Sequence, residues 1–244
     1  MSGYSGRYVV LAGLFVTCLI VANILAVKLW LLPGRLIVPV AIIIFPLSYL
    51  FGDVLTEVYG YGAARRVIWL GFACNLLAVA AFAIGGALPA PAFWDGQAAY
   101  DRVLGATPAL LIASFCAYLV GEFLNAFVLA KLKLATRGRW LWTRTIGSTL
   151  IGEGADSFIF ITLAFGVFQV AGGLPIQALI GAILTQWGIK VAYEVIATPF
   201  TYAIVNALKR RDGIDHYDTN TNFSPIVLAR AARRERTAPI QRAG

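Results

Sequence analysis

The sequence predicts an all-α polytopic membrane protein with six transmembrane helices and both termini cytoplasmic. Three observations carry this. The chain is 59% hydrophobic and 13% charged, with a mean hydropathy of +0.77. Several apolar runs reach the ~20 residues that cross a bilayer as helix. The net charge of +8 gathers in loops and tail, where it reads as topology rather than as a nucleic-acid footprint. At 244 residues the chain could hold one or two soluble domains, but these runs leave almost no mass outside the membrane.

The spans follow in order. Tyr8–Trp30 is too long for the apolar core of a signal peptide and only Arg7 precedes it, so it reads as the first span. The second is expected over Leu36–Tyr59, the third over Val67–Leu88 and the fourth over Pro108–Ala130. The fifth is expected over Thr145–Val170 and the sixth over Pro175–Leu208. Pro199 lies inside the sixth; it lacks an amide, frees the carbonyl of Val195 and favours a kink. Lys131, Lys133, Arg137, Arg139 and Arg144 fill the loop after the fourth span. Arg65 and Arg66 follow the second, and Lys209, Arg210 and Arg211 open the tail. The opposite loops carry only Lys28, Arg35 and Arg102, which puts both ends in the cytoplasm. Pro89–Thr107 is then a short external loop. The chain divides into a transmembrane domain, residues 1–208, and a polar, basic tail, residues 209–244. The tail is turn-rich around Asp215–Phe223, and residues 229–244 are expected disordered or lying on anionic lipid.

Cys18, Cys74 and Cys116 fall inside apolar runs and read as small core residues, with no disulfide or metal framework. The one histidine, His216, sits in the tail, so the spans hold no Ser–His or Cys–His pair. Neither an enzyme nor a bound cofactor is expected.

The stretch Phe45–Trp69 organises the chain. Tyr49, Asp53 and Glu57 repeat every four residues and share one helix face. Arg65 and Arg66 stand just past a Gly-Tyr-Gly turn. Two readings stay open: interfacial ion pairs that fix a hairpin, or a gate, with Asp53 and Glu57 within reach of Arg65 or Arg66 at the cytoplasmic end.

Ionisable groups also stand near the middle of three spans. Tyr118, Glu122 and Asn125 share a face of the fourth; Thr149, Glu153, Asp156 and Phe160 share one on the fifth. Gln186, Lys190 and Glu194 line the sixth, beside Trp187. Thr17 and Asn23 come from the first. A charge at mid-bilayer costs ~2.5–3.5 kcal/mol on insertion scales, so these groups must face protein or a cavity. One lysine cannot neutralise Glu122, Glu153, Asp156 and Glu194 together. The surplus acids are protonated, hydrated or matched by a ligand. A buried ion-pair network that only joins helices is the alternative.

Three motifs together resemble the queuosine precursor transporters, a family formerly grouped with vitamin uptake transporters. They are Phe45–Tyr49 with Gly52–Tyr61 and Ala64–Trp69; the run Gly152-Glu153-Gly154-Ala155-Asp156-Ser157; and Tyr217-Asp218-Thr219-Asn220-Thr221-Asn222-Phe223. The resemblance implies a six-helix inner-membrane importer of 7-cyano- and 7-aminomethyl-7-deazaguanine for tRNA modification. A guanine-like ring offers N1–H and N2–H₂ donors that one carboxylate accepts bidentately, and Glu153 or Asp156 is the expected acceptor. Its O6 takes a donor from Gln186, Asn125 or Lys190, and its face takes Trp187, Trp69 or Phe160. Lys190 is expected first to hold an acid such as Glu194. The other reading is the substrate-binding membrane subunit of a multi-component vitamin importer, docked through Ala22-x-x-x-Ala26. A homodimer is the expected assembly, through small residues such as Gly71, Gly147 and Gly181; no nucleic-acid partner is expected.

Overall fold

The computed structural model describes residues 5–25, 28–32, 36–105, 108–169, 173–219 and 221–226. Residues 229–244 and Ala26 lie outside them, as do the expectations that rest on them. Among the described residues the chain is a helical bundle. α1 spans Gly6–Leu25, α2 Phe45–Tyr59, α3 Tyr61–Ala87 and α4 Gln97–Leu104. α5 spans Pro108–Ala135, α6 Leu141–Ile161 and α7 Ile176–Asp212. Five of these are long and apolar enough to cross a membrane: α1, α3, α5, α7, and α6 with the π-helical turn Thr162–Val167 that extends it.

The expected second span differs most. Leu36–Pro39 pairs antiparallel with Leu29–Leu32 in a short hairpin, β2 on β1, and Val40–Ile43 is a 3₁₀ turn. Only then does α2 begin, with Pro46 in its first turn, where a missing amide costs nothing. Continuous apolar character concealed the hairpin: β-branched Ile37 and Val38 suit a strand as well as a buried helix. The expected external loop contains α4, which caps α3 through Tyr100 Oη donating to the Phe82 carbonyl at 3.0 Å. α7 runs through Pro199 to Asp212, about 55 Å at 1.5 Å per residue, so it is longer than the bilayer core is thick.

Apolar residues point both ways. Phe15, Val54, Leu55, Val58, Tyr61 and Val67 form a buried core among α1, α2 and α3. Leu77, Ile84, Ile196 and Phe200 face outward and are well exposed, as lipid-facing positions are. Asn23 bonds Asn75 at 2.8 Å and ties α1 to α3.

α5 packs most extensively on α6, and two glycines set the distance. A Cβ on Gly152 would stand 2.6 Å from the Asn125 Cβ, and one on Gly121 would stand 2.8 Å from the Asp156 Cβ. The absence of side chains lets the two backbones nearly touch. That crossing sets Glu122 and Asn125 of α5 directly against Glu153 and Asp156 of α6.

Candidate functional site

Five carboxylates and one ammonium meet between α2, α5, α6 and α7, about midway along the long helices. Lys190 donates to Glu153 Oε2 at 3.0 Å and to Asp156 Oδ2. Its Nζ also lies 5.1 Å from the Phe45 ring centre and 5.6 Å from that of Tyr49. The first two aromatics of α2 therefore close over the ammonium, held edge-to-face on each other at 4.8 Å.

The other three acids have no such partner. Asp53 accepts one hydrogen bond, from Asn125 Nδ2 at 2.7 Å, and its Oδ2 is buried and unpaired. Among the described residues the side chains of Glu122 and Glu194 make no hydrogen bond or ion pair; each is 3% exposed and has one buried oxygen without a partner. Asn125 spends its amide on Asp53, so what it leaves open is the Oδ1 acceptor. Buried polar atoms are nearly always paired, so four acceptors and the Tyr49 hydroxyl without a partner in one place leave this group with hydrogen-bonding capacity to spare. The space beside Glu122 and Asn125, bounded by Phe15, Gly52 and Thr56, is small. The described conformation is closed.

A second ionic cluster lies at the end of the bundle where α2 meets α3, and it is fully paired. Glu57, wholly buried, receives Arg144 Nη2 at 2.8 Å, Arg144 Nε at 3.1 Å and Lys209 at 2.7 Å. Lys133 stands 3.6 Å away and donates to the Glu57 carbonyl, Asp215 and the His216 carbonyl. The chain beyond α7 folds back across this end as a strap. Asp218 accepts the Tyr61 amide at 2.9 Å and so caps α3 from outside it. Arg65 donates to the carbonyls of Asn222 and Ser224, and Trp69 to that of Pro225. Phe223 packs on Tyr61 and Phe127 beneath Lys131. Gly60 joins α2 to α3 at φ +85°, and a Cβ there would stand 2.2 Å from the His216 ring, so both backbone and strap require glycine. Burial works to raise the carboxyls of Asp215 and Asp218, but accepted hydrogen bonds hold both below their usual value. The donors are Lys133 and Lys209 at Asp215, and His216, the Tyr61 amide and Thr221 at Asp218.

The structure rearranges several expected roles. Glu122, Asn125, Glu153, Asp156, Lys190 and Glu194 do come together. Tyr49 and Asp53, expected in a gate, belong to this central group instead, because the α2 face turns them inward above Glu57. Glu57 pairs with Arg144 and Lys209 rather than with Arg65, which holds the strap, while Arg66 is exposed. Lys190 holds Glu153 and Asp156, not Glu194. Trp187 donates to the Leu150 carbonyl at 3.0 Å, and Phe160 packs edge-on against Phe165, so both rings are engaged on α6. Gln186 is half-buried on α7. Phe45 is the aromatic that sequence reading missed; its place beside Pro46 at the head of the organising stretch was the available signal. Gly71 and Gly147 are used inside the chain, against Tyr118 and Leu132, and Ala22 is buried within the bundle. None of these is left as a docking face, whereas Gly181 has open space beside it.

The profile of the family described as "Putative vitamin uptake transporter" matches residues 39–204 of this chain. A Bacillus subtilis protein named "Probable queuosine precursor transporter" is 32% identical over 62% of this chain and 64% of its own length. An Escherichia coli protein named "Queuosine precursor transporter" is 30% identical over 50% of this chain and 52% of its own. The chain thus spans between half and two thirds of the curated relatives it matches. No solved structure matches it. The matched segment contains the Lys190 centre, the orphaned acids and two of the three cations around Glu57, Arg144 and Lys133, and on that match the chain belongs to the vitamin uptake transporter family of multi-pass membrane transporters.

Proposed function

We propose that this chain imports queuosine precursors, the 7-deazaguanines, across a bacterial cytoplasmic membrane. The observation that carries the reading is the Lys190 centre: two carboxylates and an ammonium under two aromatic rings, in the middle of a helical bundle whose relatives bear the names probable queuosine precursor transporter and queuosine precursor transporter. A guanine-like ring suits it. Glu153 or Asp156 accepts N1–H and N2–H₂, Lys190 donates to O6, and Phe45 or Tyr49 covers the face. With Lys190, the pair of acids carries one net negative charge, which also suits a cationic aminomethyl group. Loss of such a contact strands donors on the ligand, so it discriminates strongly. The ring needs more room than the closed conformation offers, so entry requires α2 to move its aromatic end away from Lys190.

Six spans with both termini cytoplasmic belong to the same proposal. α2 and its preceding 3₁₀ turn together reach about 30 Å, enough for the hydrocarbon core, and leave the hairpin outside. Cysteine labelling at Asp95 is expected from outside and at Gly138 from inside; both on one side refutes the topology. Function is tested in a bacterial host lacking its own importer. The chain is expected to restore uptake of labelled 7-cyano-7-deazaguanine, and Glu153→Ala and Asp156→Ala each to weaken binding by the purified protein about tenfold or more, as for hydrogen bonds to charged groups. Wild-type binding in both variants moves the site elsewhere.

A further inference from the structure

The Lys190 centre accounts for two of the five buried acids. The remaining three, Asp53, Glu122 and Glu194, surround it from α2, α5 and α7. We propose that Glu122, beside neutral Asp53 and Glu194, carries protons, so that this chain is a proton symporter. The inference rests on the transport reading above.

The geometry supports it in two ways. Glu122 is 3% exposed with no hydrogen bond and no ion pair among the described residues, and Glu194 is alike. An ionised carboxylate in that setting carries an uncompensated desolvation cost of several kcal/mol, whereas the neutral acid carries only the smaller cost of an unpaired polar group. Second, the unpaired Asn125 Oδ1, on a side chain 2% exposed, is a buried acceptor in the same group, ready for the O–H of a protonated acid. The titratable groups in electrostatic reach of Glu122 are Tyr49 and Asp53 from α2, Glu153 and Asp156 from α6, Lys190 from α7 and Tyr118 on its own helix. Lys190 is the one cation among them and is committed to Glu153 and Asp156. Asp53 is in reach of Glu122, Glu153 and Glu194.

The cycle balances simply. In the outward-open state water reaches the carboxylates; Asp53 and Glu194 stay neutral throughout, and Glu122 takes the transported proton. The bundle closes on substrate and neutral acid together, with no unpaired charge buried. In the inward-open state the O–H releases its proton to cytoplasmic water; on the empty return the Glu122 carboxylate faces the Lys190 proton that the substrate O6 has vacated, and it is reprotonated from outside before the next loaded closure. The fully paired Glu57 takes no part.

Purified full-length protein in liposomes, given labelled 7-cyano-7-deazaguanine and an imposed gradient acid outside, tests this. For one proton per neutral substrate, the steady-state inside-to-outside ratio is expected to rise about tenfold per pH unit and to collapse with a protonophore. Glu122→Gln is expected to bring the ratio to one. That ratio is thermodynamic, so slower transport alone leaves it intact. Accumulation indifferent to the gradient, or an unchanged ratio in Glu122→Gln, overturns the proposal. Infrared difference spectroscopy gives a second readout that needs no substrate: a protonated-carboxyl C=O band that weakens in Glu122→Gln by the share of that residue. A missing band overturns proton carriage. Absence of deazaguanine binding with the band intact overturns the substrate reading instead.

Discussion

Glu57 and Glu122 are both glutamates, both buried, and each lies on a helix of the same bundle. Glu57 has an arginine and a lysine on its oxygens and a second lysine 3.6 Å away. Glu122 has no ion-pair partner among the described residues. The difference separates two jobs. A buried carboxylate surrounded by cations joins α2, the α5–α6 end, α7 and the strap. A buried carboxylate left without donors joins no elements in the closed state, which is why the proposals above give it a part in transport. The reading as ion-pair glue fits Glu57, and at the centre it fits Lys190 with Glu153 and Asp156, which tie α7 to α6; it does not account for Asp53, Glu122 and Glu194.

That contrast can be broken by substitution. The largest effect is expected from Glu57→Ala, which leaves Arg144, 1% exposed, as an uncompensated buried charge. Removing one partner of a buried pair costs ~3–5 kcal/mol, so the purified protein should melt far below wild type, with transport lost through folding. A smaller effect is expected from Asp218→Ala. It removes the cap on the Tyr61 amide, worth about 0.5–2 kcal/mol, and frees the strap from the α2–α3 turn; thermal unfolding and faster proteolysis of the tail would register it. The same group has a pH signature. Its folded value is depressed, so its contribution is complete above the ordinary value of 3.8 and is lost as pH falls through the folded value. In Asp218→Ala that share of acid sensitivity should disappear. The smallest stability change belongs to Glu122→Gln, under ~1 kcal/mol, because there is no pairing to lose. If Glu122→Gln melts as early as Glu57→Ala, the division between a structural end and a working centre is wrong.

Some of this was legible in the chain. The apolar runs, the helical spacing of Glu122 with Asn125 and of Lys190 with Glu194, and the price of charge in lipid together require an inward-facing polar centre. None of that needs knowledge of which helix neighbours which. The motif around Tyr217–Phe223 was visible as a motif, but its work was hidden: its partners Tyr61, Arg65 and Lys133 lie far away in sequence.

Composition and local periodicity by themselves determined a multi-pass helical protein with a buried acidic centre, because hydropathy and the 3.6-residue repeat are properties of single segments. The pairing was decided only in three dimensions. Periodicity puts Asp53 and Glu57 on one face as equals; the tertiary structure gives Glu57 its cations from α5, α6 and α7, 76 to 152 residues away in the chain, and gives Asp53 only an asparagine. Likewise Glu153 and Asp156 took Lys190 while Glu194, on the same helix as the lysine, did not. Which acid meets a cation depends on helix rotation and on the close approach that Gly121 and Gly152 permit, and electrostatic partners chosen across a bundle leave no period in the sequence.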